Sequence, residues 1–304
     1  MKVAVTGASG FIGSATVRTL RADGHDVVRL VRRTPEATDE VRWDPASRTV
    51  DLDGLRGVDA IVHLAGAGVG DKRWTPAYKE EIRRSRVDGT AAIAAACVAL
   101  DPAPRVLLSG SATGFYGDTG ETAVDETAPG GTGFLGDVVR EWEAAAAPAI
   151  GAGVRVAHLR TGIVLSGRGG TLGGTVRPLG IPVRLLTLFR SGLAGPLGSG
   201  RQWVSWISLD DELAAIRFLL DTELAGPVNL TSPQPIRNKD WVSAIGRSVN
   251  RPAALPVPGF ALKVALGEFS HDVLGSQRVL PRRLEEAGFD FAHTDIDSAL
   301  AAVI

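Results

Sequence analysis

The sequence predicts an α/β protein built on a doubly wound parallel sheet, followed by a smaller C-terminal α/β domain. Three observations carry this reading. Short apolar runs alternate with longer helical stretches through the first half of the chain, the pattern of strands joined by crossover helices. The first of these runs, Lys2–Thr6, leads straight into the glycine-rich segment Gly7-Ala8-Ser9-Gly10-Phe11-Ile12-Gly13. After about Thr161 the pattern breaks, and residues 162–200 are rich in glycine and contain Pro178, Pro182 and Pro196.

Taken in order, Lys2–Thr6, Asp26–Val31, Ala60–Leu64, Arg105–Ser109 and Val154–Leu159 read as strands, and Phe11–Ala22, Pro76–Leu100 and Leu135–Ile150 as helices. The polar stretch Thr34–Gly57, with its Asp and Pro residues, is expected to carry a short third strand. Residues 162–200 read as loops with one or two short helices, with the apolar Val183–Phe189 as a packed helix or part of a lid. Beyond them the sequence predicts helices near Asp210–Leu220, Asn238–Val249, Phe260–Phe269 and Pro281–Ala287, and a strand at Val228–Leu230. The expected division is a core of residues 1–161 and a second domain of 162–304, of which about 200–231 returns to the core.

Composition narrows the function classes. A chain of 304 residues with 44% hydrophobic and 22% charged residues has the make-up of an ordinary globular protein with a sizeable core. A net charge of −1 gives no reason to expect a nucleic acid or an anionic membrane as partner. Its single cysteine, Cys97, lies in the apolar run Ala91–Leu100, which predicts a buried, inert thiol. Lys2-Val3-Ala4-Val5 already reads as a strand, not a secretory signal, and no apolar run is long enough to span a bilayer. The expectation is a soluble cytoplasmic protein, either a monomer or a homodimer.

Gly7, Gly10 and Gly13 follow a predicted strand and open a predicted helix. Glycines at this spacing allow a tight turn, let the backbone approach a pyrophosphate, and let the helix pack on the sheet. The helix N-terminus then offers unpaired N–H groups and the positive end of its dipole to the phosphates. The segment therefore predicts a Rossmann-type dinucleotide site, with Gly7, Ser9, Gly10, Phe11, Ile12 and Gly13 around the phosphates. At the end of the second strand, sites for NAD place an acid that accepts from the ribose 2′-hydroxyl. Here the sequence is Leu30-Val31-Arg32-Arg33-Thr34. A guanidinium grips a phosphate through two parallel bonds, so Arg32 and Arg33 point to NADP(H) as the cofactor. The competing readings are a solvated basic turn, or Glu36 or Asp39 reaching back.

After the strand at Arg105–Ser109 comes Ser109-Gly110-Ser111-Ala112-Thr113-Gly114-Phe115-Tyr116-Gly117. Carboxyl ends of strands in an open parallel sheet face the ligand crevice, which directs Ser109 and Ser111 toward the nicotinamide. The combination of Thr6–Gly13, Leu64-Ala65-Gly66, Ser109–Ala112 and Tyr116-Gly117 resembles an extended short-chain dehydrogenase/reductase. Asp71-Lys72-Arg73-Trp74, Ser85-Arg86, Leu159–Gly162, Gly195–Gln202 and Leu280–Leu284 are similar to its epimerase-like, NAD-dependent epimerase/dehydratase subgroup, from Met1 to the C-terminus. The resemblance implies cofactor contacts at Leu64, Ala65, Gly66, Arg86, Ser109 and Arg160, and a small-molecule substrate bound by the second domain.

Such enzymes move a proton with a tyrosine and a lysine four residues apart on one helix face. The corresponding stretch here, Gly133–Glu143, contains neither. Phe134 or Leu135 stands where the tyrosine is expected, and Val138 or Val139 where the lysine is expected. Candidate catalytic residues are then Ser111, as donor to a substrate oxygen, Tyr116, as replacement acid or as pocket lining, and Lys72, as a charge over the cofactor or a solvated loop residue. Arg86 and Arg160 can alternatively be ion-pair partners. Trp203 and Trp206 read as core, His63 and His158 as buried strand residues, and the histidines show no metal-ligand spacing. About ten extra residues, around Thr175–Arg184, set the chain apart from the subgroup. Two functions fit: an NADP(H)-dependent oxidoreductase or epimerase acting on a small polar carbonyl or sugar-like compound, or a catalytically inactive NADP(H)-binding sensor or regulator.

Overall fold

The computed structural model describes residues 1–167, 175–176 and 183–303. Its main element is an eight-stranded sheet, whose members in chain order are β1 (Lys2–Thr6), β2 (Asp26–Val31), β3 (Glu40–Asp44), β4 (Thr49–Val50), β5 (Ala60–His63), β6 (Val106–Ala112), β7 (Arg155–Thr161) and β8 (Gly226–Leu230). The spatial order is β8-β7-β6-β5-β1-β2-β3-β4. β1 pairs in parallel with β2 on one side and β5 on the other, and β2–β3 and β5–β6 are parallel too. β4 closes the far edge antiparallel to β3, with Trp43 opposite Val50. The chain thus winds outward from β1 in one direction, then returns and winds outward in the other. The crevice rule for such sheets selects the β1/β5 switch point as the ligand position.

Helices α1 (Phe11–Ala22), α2 (Pro76–Ala99), α3 (Phe134–Ala144) and α4 (Ala147–Gly151) accompany these strands. The helix expected over Leu135–Ile150 is broken in two. Pro148 has no N–H and a fixed φ, so it is accommodated in the first turn of α4, where the N–H would be unpaired anyway. The strand expected over Arg105–Ser109 runs on to Ala112, and its extension through Gly110 has a steric reason. A Cβ there would meet the Trp142 ring and the His63 carbonyl, each at 3.0 Å.

The chain divides into two compact units. One comprises Met1–Ala112, Asp137–Arg160 and Leu213–Val228; the other Thr113–Gly136, Thr161–Glu212 and Asn229–Ile304. In the first, Ala4, Leu30, Ile61 and Leu107 from the strands meet Ile93, Ala94 and Cys97 from α2. Burial pushes the Cys97 thiol up to about 12, so it stays protonated and unreactive. In the second, Leu165, Phe189, Trp206, Trp241, Ile245, Ile296 and Leu300 form the core. Short ladders run through it: Ile163–Leu165 with Trp206–Ser208, Trp203–Val204 with Ile236–Arg237, and Ala123–Val124 with Arg278–Val279. The C-terminal helix Ile296–Val303 was not anticipated. Of the extra segment, Thr175–Val176 pairs antiparallel with Val183–Arg184, and its remaining residues lie outside those described. Among the described residues no helix is long and apolar enough to cross a membrane.

Candidate cofactor and active site

The loop after β1 is shaped by its glycines. Gly7 has φ of +66°, a left-handed conformation that costs glycine little. A Cβ on it would lie 2.9 Å from the carbonyl group of Leu64, at the end of β5. Gly13 is tighter still, since a Cβ there would sit 2.2 Å from the Gly7 carbonyl oxygen. That oxygen also accepts from the Gly10 N–H at 2.8 Å. α1 therefore starts with its backbone pressed against the turn. Gly10 is its N-cap, without a side-chain cap bond, and no acidic residue occupies the first turn. Such an end presents N–H groups and a positive dipole to an anion. Ser9 and Gly10 are exposed, and Phe11 and Ile12 half-buried.

Below the loop, Thr6 ties β1 to β5. Its Oγ1 accepts from the N–H groups of Leu64 and Ala65 at 3.1 and 3.2 Å and lies 2.8 Å from Nδ1 of His63. Burial lowers His63 to about 4, so its ring is neutral and Nδ1 can accept the threonine proton. This fixes Leu64-Ala65-Gly66 beside Gly7. Gly66 leaves room for Arg86, whose guanidinium carbon would be 3.4 Å from a Cβ placed there. Arg86 donates to the carbonyls of Ala67 and Ile82 at 2.9 and 3.1 Å and stacks on the Trp142 ring with 5.0 Å to its centroid. Among the described residues no carboxylate pairs with it, and burial lowers its pKa to about 10, which still leaves it charged at neutral pH. A half-buried cation held by carbonyls and a ring, against the Leu64-Ala65-Gly66 strand end that flanks the glycine turn, fits a phosphate-bearing ligand.

The two arginines at the end of β2 separate. Arg33 is engaged: its guanidinium clasps the Glu40 carboxylate through bonds of 2.7 and 2.8 Å. Arg32 is exposed and makes no hydrogen bond or ion pair among the described residues. The acids that compete for a ribose hydroxyl are committed as well. Asp39 is held by both Arg21 and Arg29, and the buried Glu40 takes Arg33, Arg29 and the Glu36 N–H. Glu36 is itself 3.5 Å from Arg33.

At the end of β6 the serines do not behave alike. Ser109 is fully buried and its hydroxyl finds no partner among the described residues. Ser111 donates at 2.6 Å to Oε1 of Glu143 on α3. Arg160, from β7, grips the same carboxylate with Nε and Nη2, both at 2.8 Å. Burial pushes Glu143 up, but the bonds and charge of Arg160 and the bond from Ser111 outweigh it and hold the carboxyl below its ordinary value. Arg160 is 3% exposed, so its planar fork is matched internally by Glu143. Glu143 follows Val139 by four residues and shares its helix face. An acid in line with the buried Val139 is a signal for an internal cation, and sequence reasoning assigned Glu143 no role.

In the second unit, Tyr116 is 4% exposed and donates its hydroxyl proton to Oδ1 of Asn229 at 2.7 Å. Asn229 donates in turn to the Leu280 carbonyl at 2.9 Å and, through its N–H, to Glu126 at 2.9 Å. Trp206 is core, whereas the Trp203 ring carries the guanidiniums of Arg237 and Arg278, 4.1 and 4.6 Å from its centroid. Lys72, in the first unit, is exposed, ion-paired with Glu81 at 3.1 Å and 5.0 Å from the centroid of the Tyr78 ring. Of the three candidate catalytic residues, Ser111 and Tyr116 are thus engaged donors and Lys72 is solvated.

Residues 3–133 match the family model described as NAD dependent epimerase/dehydratase family, and residues 257–303 match a domain of unknown function. The chain is 44% identical over 300 residues to the epimerase family protein Mb2239 of Mycobacterium bovis, covering 98% of this chain and 96% of that protein. It belongs to the NAD-dependent epimerase/dehydratase family. Among solved structures, this family member resembles human epimerase family protein SDR39U1 (isoform 2) with NADPH, at TM-score 0.89, 29% identity and coverage of 100% and 99%. A nucleoside-diphosphate sugar epimerase from Corynebacterium glutamicum matches at TM-score 0.77 and 37% identity, over 99% of this chain and 57% of that one.

Within this epimerase-family chain one further acid stands out. Glu212, in the helix Leu209–Asp221, is fully buried; Oε1 accepts from Thr161 at 2.9 Å and Oε2 has no partner among the described residues. Burial raises its carboxyl to about 8. The native state therefore keeps a proton that the unfolded chain loses above its ordinary carboxyl value. Stability from this group is full in acid and falls as pH rises toward about 8. Glu212→Gln, which mimics the protonated acid, is expected to flatten that fall, measured as Tm at acidic and at mildly alkaline pH. An unchanged slope would show that Glu212 ionises in place without cost.

Proposed function

We propose that this chain is an NADP(H)-binding short-chain dehydrogenase/reductase-like protein, an oxidoreductase or epimerase acting on a small polar carbonyl or sugar-like compound. The observation that carries the cofactor reading is the pairing pattern at the end of β2. Asp39 and Glu40 are clasped by arginines and Glu36 lies 3.5 Å from Arg33, while Arg32 has no partner among the described residues. An exposed guanidinium of this kind suits a 2′-phosphate, and the two clasped carboxylates are not free to accept from a 2′-hydroxyl. The glycine turn, the uncapped start of α1 and Arg86 supply the rest of an anion cradle. The NADPH named with the human relative's structure supports the same choice. When bound, the nicotinamide would supply or accept the hydride; the chain's own residues bind and orient.

Arg32→Ala is expected to weaken NADPH by one or two charge-assisted bonds, about 1.5–3 kcal/mol or roughly tenfold to a hundredfold in Kd, while NADH changes little. Arg33→Ala should cost less, because its guanidinium serves Glu40. Titration of both cofactors against both variants checks this; equal losses for NADPH and NADH in Arg32→Ala would refute the 2′-phosphate assignment.

A second reading, a cofactor-binding protein without turnover, is favoured by the engagement of Ser111 and Tyr116 as donors to buried acceptors. It is separated from the first by NADPH consumption against a panel of carbonyl compounds. Tight binding with no consumption throughout the panel would select it.

A further inference from the structure

A serine hydroxyl has one proton and two lone pairs. At Ser111 the proton is already placed: the acceptor 2.6 Å away is a carboxylate oxygen, and an ionised carboxylate has nothing to donate. The two bonds from Arg160 keep that carboxylate ionised and fixed in orientation. His158, which also faces Glu143, is kept neutral by burial and does not alter the charge balance. What Ser111 has left, at 7% exposure on the carboxyl end of β6, is its lone pairs.

We propose that Ser111 meets its ligand as a hydrogen-bond acceptor, so that the group seated on it is a donor, a hydroxyl or an amide N–H, and not a carbonyl oxygen. Glu143 is the positioning residue that sets this polarity. The inference rests on the reading of the strand-end crevice as the ligand site, and it reverses the direction expected from sequence, where Ser111 donates to a substrate oxygen. A ketone oxygen placed on Ser111 would face another oxygen's lone pairs, and a buried acceptor left without a donor loses its desolvation energy unrecovered. A polyol or sugar hydroxyl, or the carboxamide of the nicotinamide, satisfies it.

The test is ligand-observed NMR titration of the NADP⁺-loaded protein with two alcohol–ketone pairs, glycerol with dihydroxyacetone and cyclohexanol with cyclohexanone. In the wild type the alcohol of each pair is expected to bind about tenfold more tightly than the ketone, the size of one net hydrogen bond. Ser111→Ala should erase the difference. Ser111 and Nε of Arg160 share Oε1 of Glu143, so a glutamine there would keep its oxygen on both and leave the serine donating. Glu143→Leu combined with Arg160→Met removes the acceptor together with the charge it neutralises, which frees the serine proton. The expected result of the double variant is a shift of the preference toward the ketone by about tenfold. If the double variant fails to fold, Ser111→Ala alone decides.

A carboxamide donor has its own signature: Ser111→Ala then weakens NADP⁺ without any second ligand but leaves the 3-acetylpyridine analogue of NADP⁺, which has the carbonyl and no N–H, unaffected; equal weakening of both would mean that Ser111 donates. Wild-type binding of ketones as tight as that of alcohols, with NADP⁺ affinity unchanged in Ser111→Ala, would overturn the proposal while the cofactor reading stands. A wild type that binds neither NADP⁺ nor NADPH would remove the cofactor reading itself.

Discussion

Gly13→Ala is expected to abolish NADPH binding and to destabilise the first unit. The added Cβ would sit 2.2 Å from the Gly7 oxygen and 2.8 Å from its carbonyl carbon, both backbone atoms that cannot rotate away. Gly7 is itself closely confined, since even a Cβ on it would lie 2.9 Å from the Leu64 carbonyl. The strain is relieved only by lifting the start of α1 off the turn, which also breaks the Gly10-to-Gly7 bond. Overpacking of this kind costs about 1–3 kcal/mol. Lifting the helix end moves its N–H groups from where a pyrophosphate would accept them. Two lost charge-assisted bonds amount to at least a hundredfold in Kd, to order of magnitude. Gly151→Ala is the matched control: its Cβ meets nothing within 4 Å and its φ is not positive. Titration with NADPH and a thermal melt of both variants check the pair. A Gly13→Ala protein that binds like the wild type would mean that the loop does not hold the cofactor.

The contrast between this loop and α3 explains how far the sequence could be read. β1, α1 and β2 lie at the boundaries expected from sequence, because apolar periodicity and glycine spacing are local properties of consecutive residues. The absence of a tyrosine and a lysine on α3 was equally visible. The Ser111–Glu143–Arg160 cluster beside it was not, since it joins residues from two strands and a helix, separated by 32 and 17 positions. Nothing local marks Ser111 as a donor or Arg160 as internally matched. The same holds at the end of β2, where adjacent arginines look alike in sequence. Only the fold, by bringing Glu40 of β3 beside Arg33, tells them apart, and Arg32 is left without a partner among the described residues. The short ladders of the second unit escaped for a related reason: strands of two or three residues have too little periodicity to register.

Arg160→Met tests the cluster where its energy is greatest. Methionine keeps the bulk of the side chain and removes the charge, leaving Glu143 buried with Ser111 alone. Breaking a buried pair from one side costs about 3–5 kcal/mol, because an uncompensated charge remains. For a chain of this size that is a fall in Tm on the order of 10 °C. The pH dependence gives the cause away. In the wild type Glu143 is held below its ordinary value, so its contribution is present at neutral pH and lost as acid protonates it. In the variant burial acts unopposed, the carboxyl rises, and protonation becomes the cheap escape. The deficit against the wild type should therefore be small in mild acid and grow as pH rises through the variant's new value. Arg160→Met combined with Glu143→Leu removes both charges and should recover most of the loss, since a buried pair is commonly replaced by apolar residues at little cost. A single variant as stable as the wild type at every pH, or a double variant no better than the single, would mean that Arg160 does not neutralise Glu143. The acceptor polarity assigned to Ser111 would then lose its foundation, because only an ionised Glu143 obliges that serine to donate.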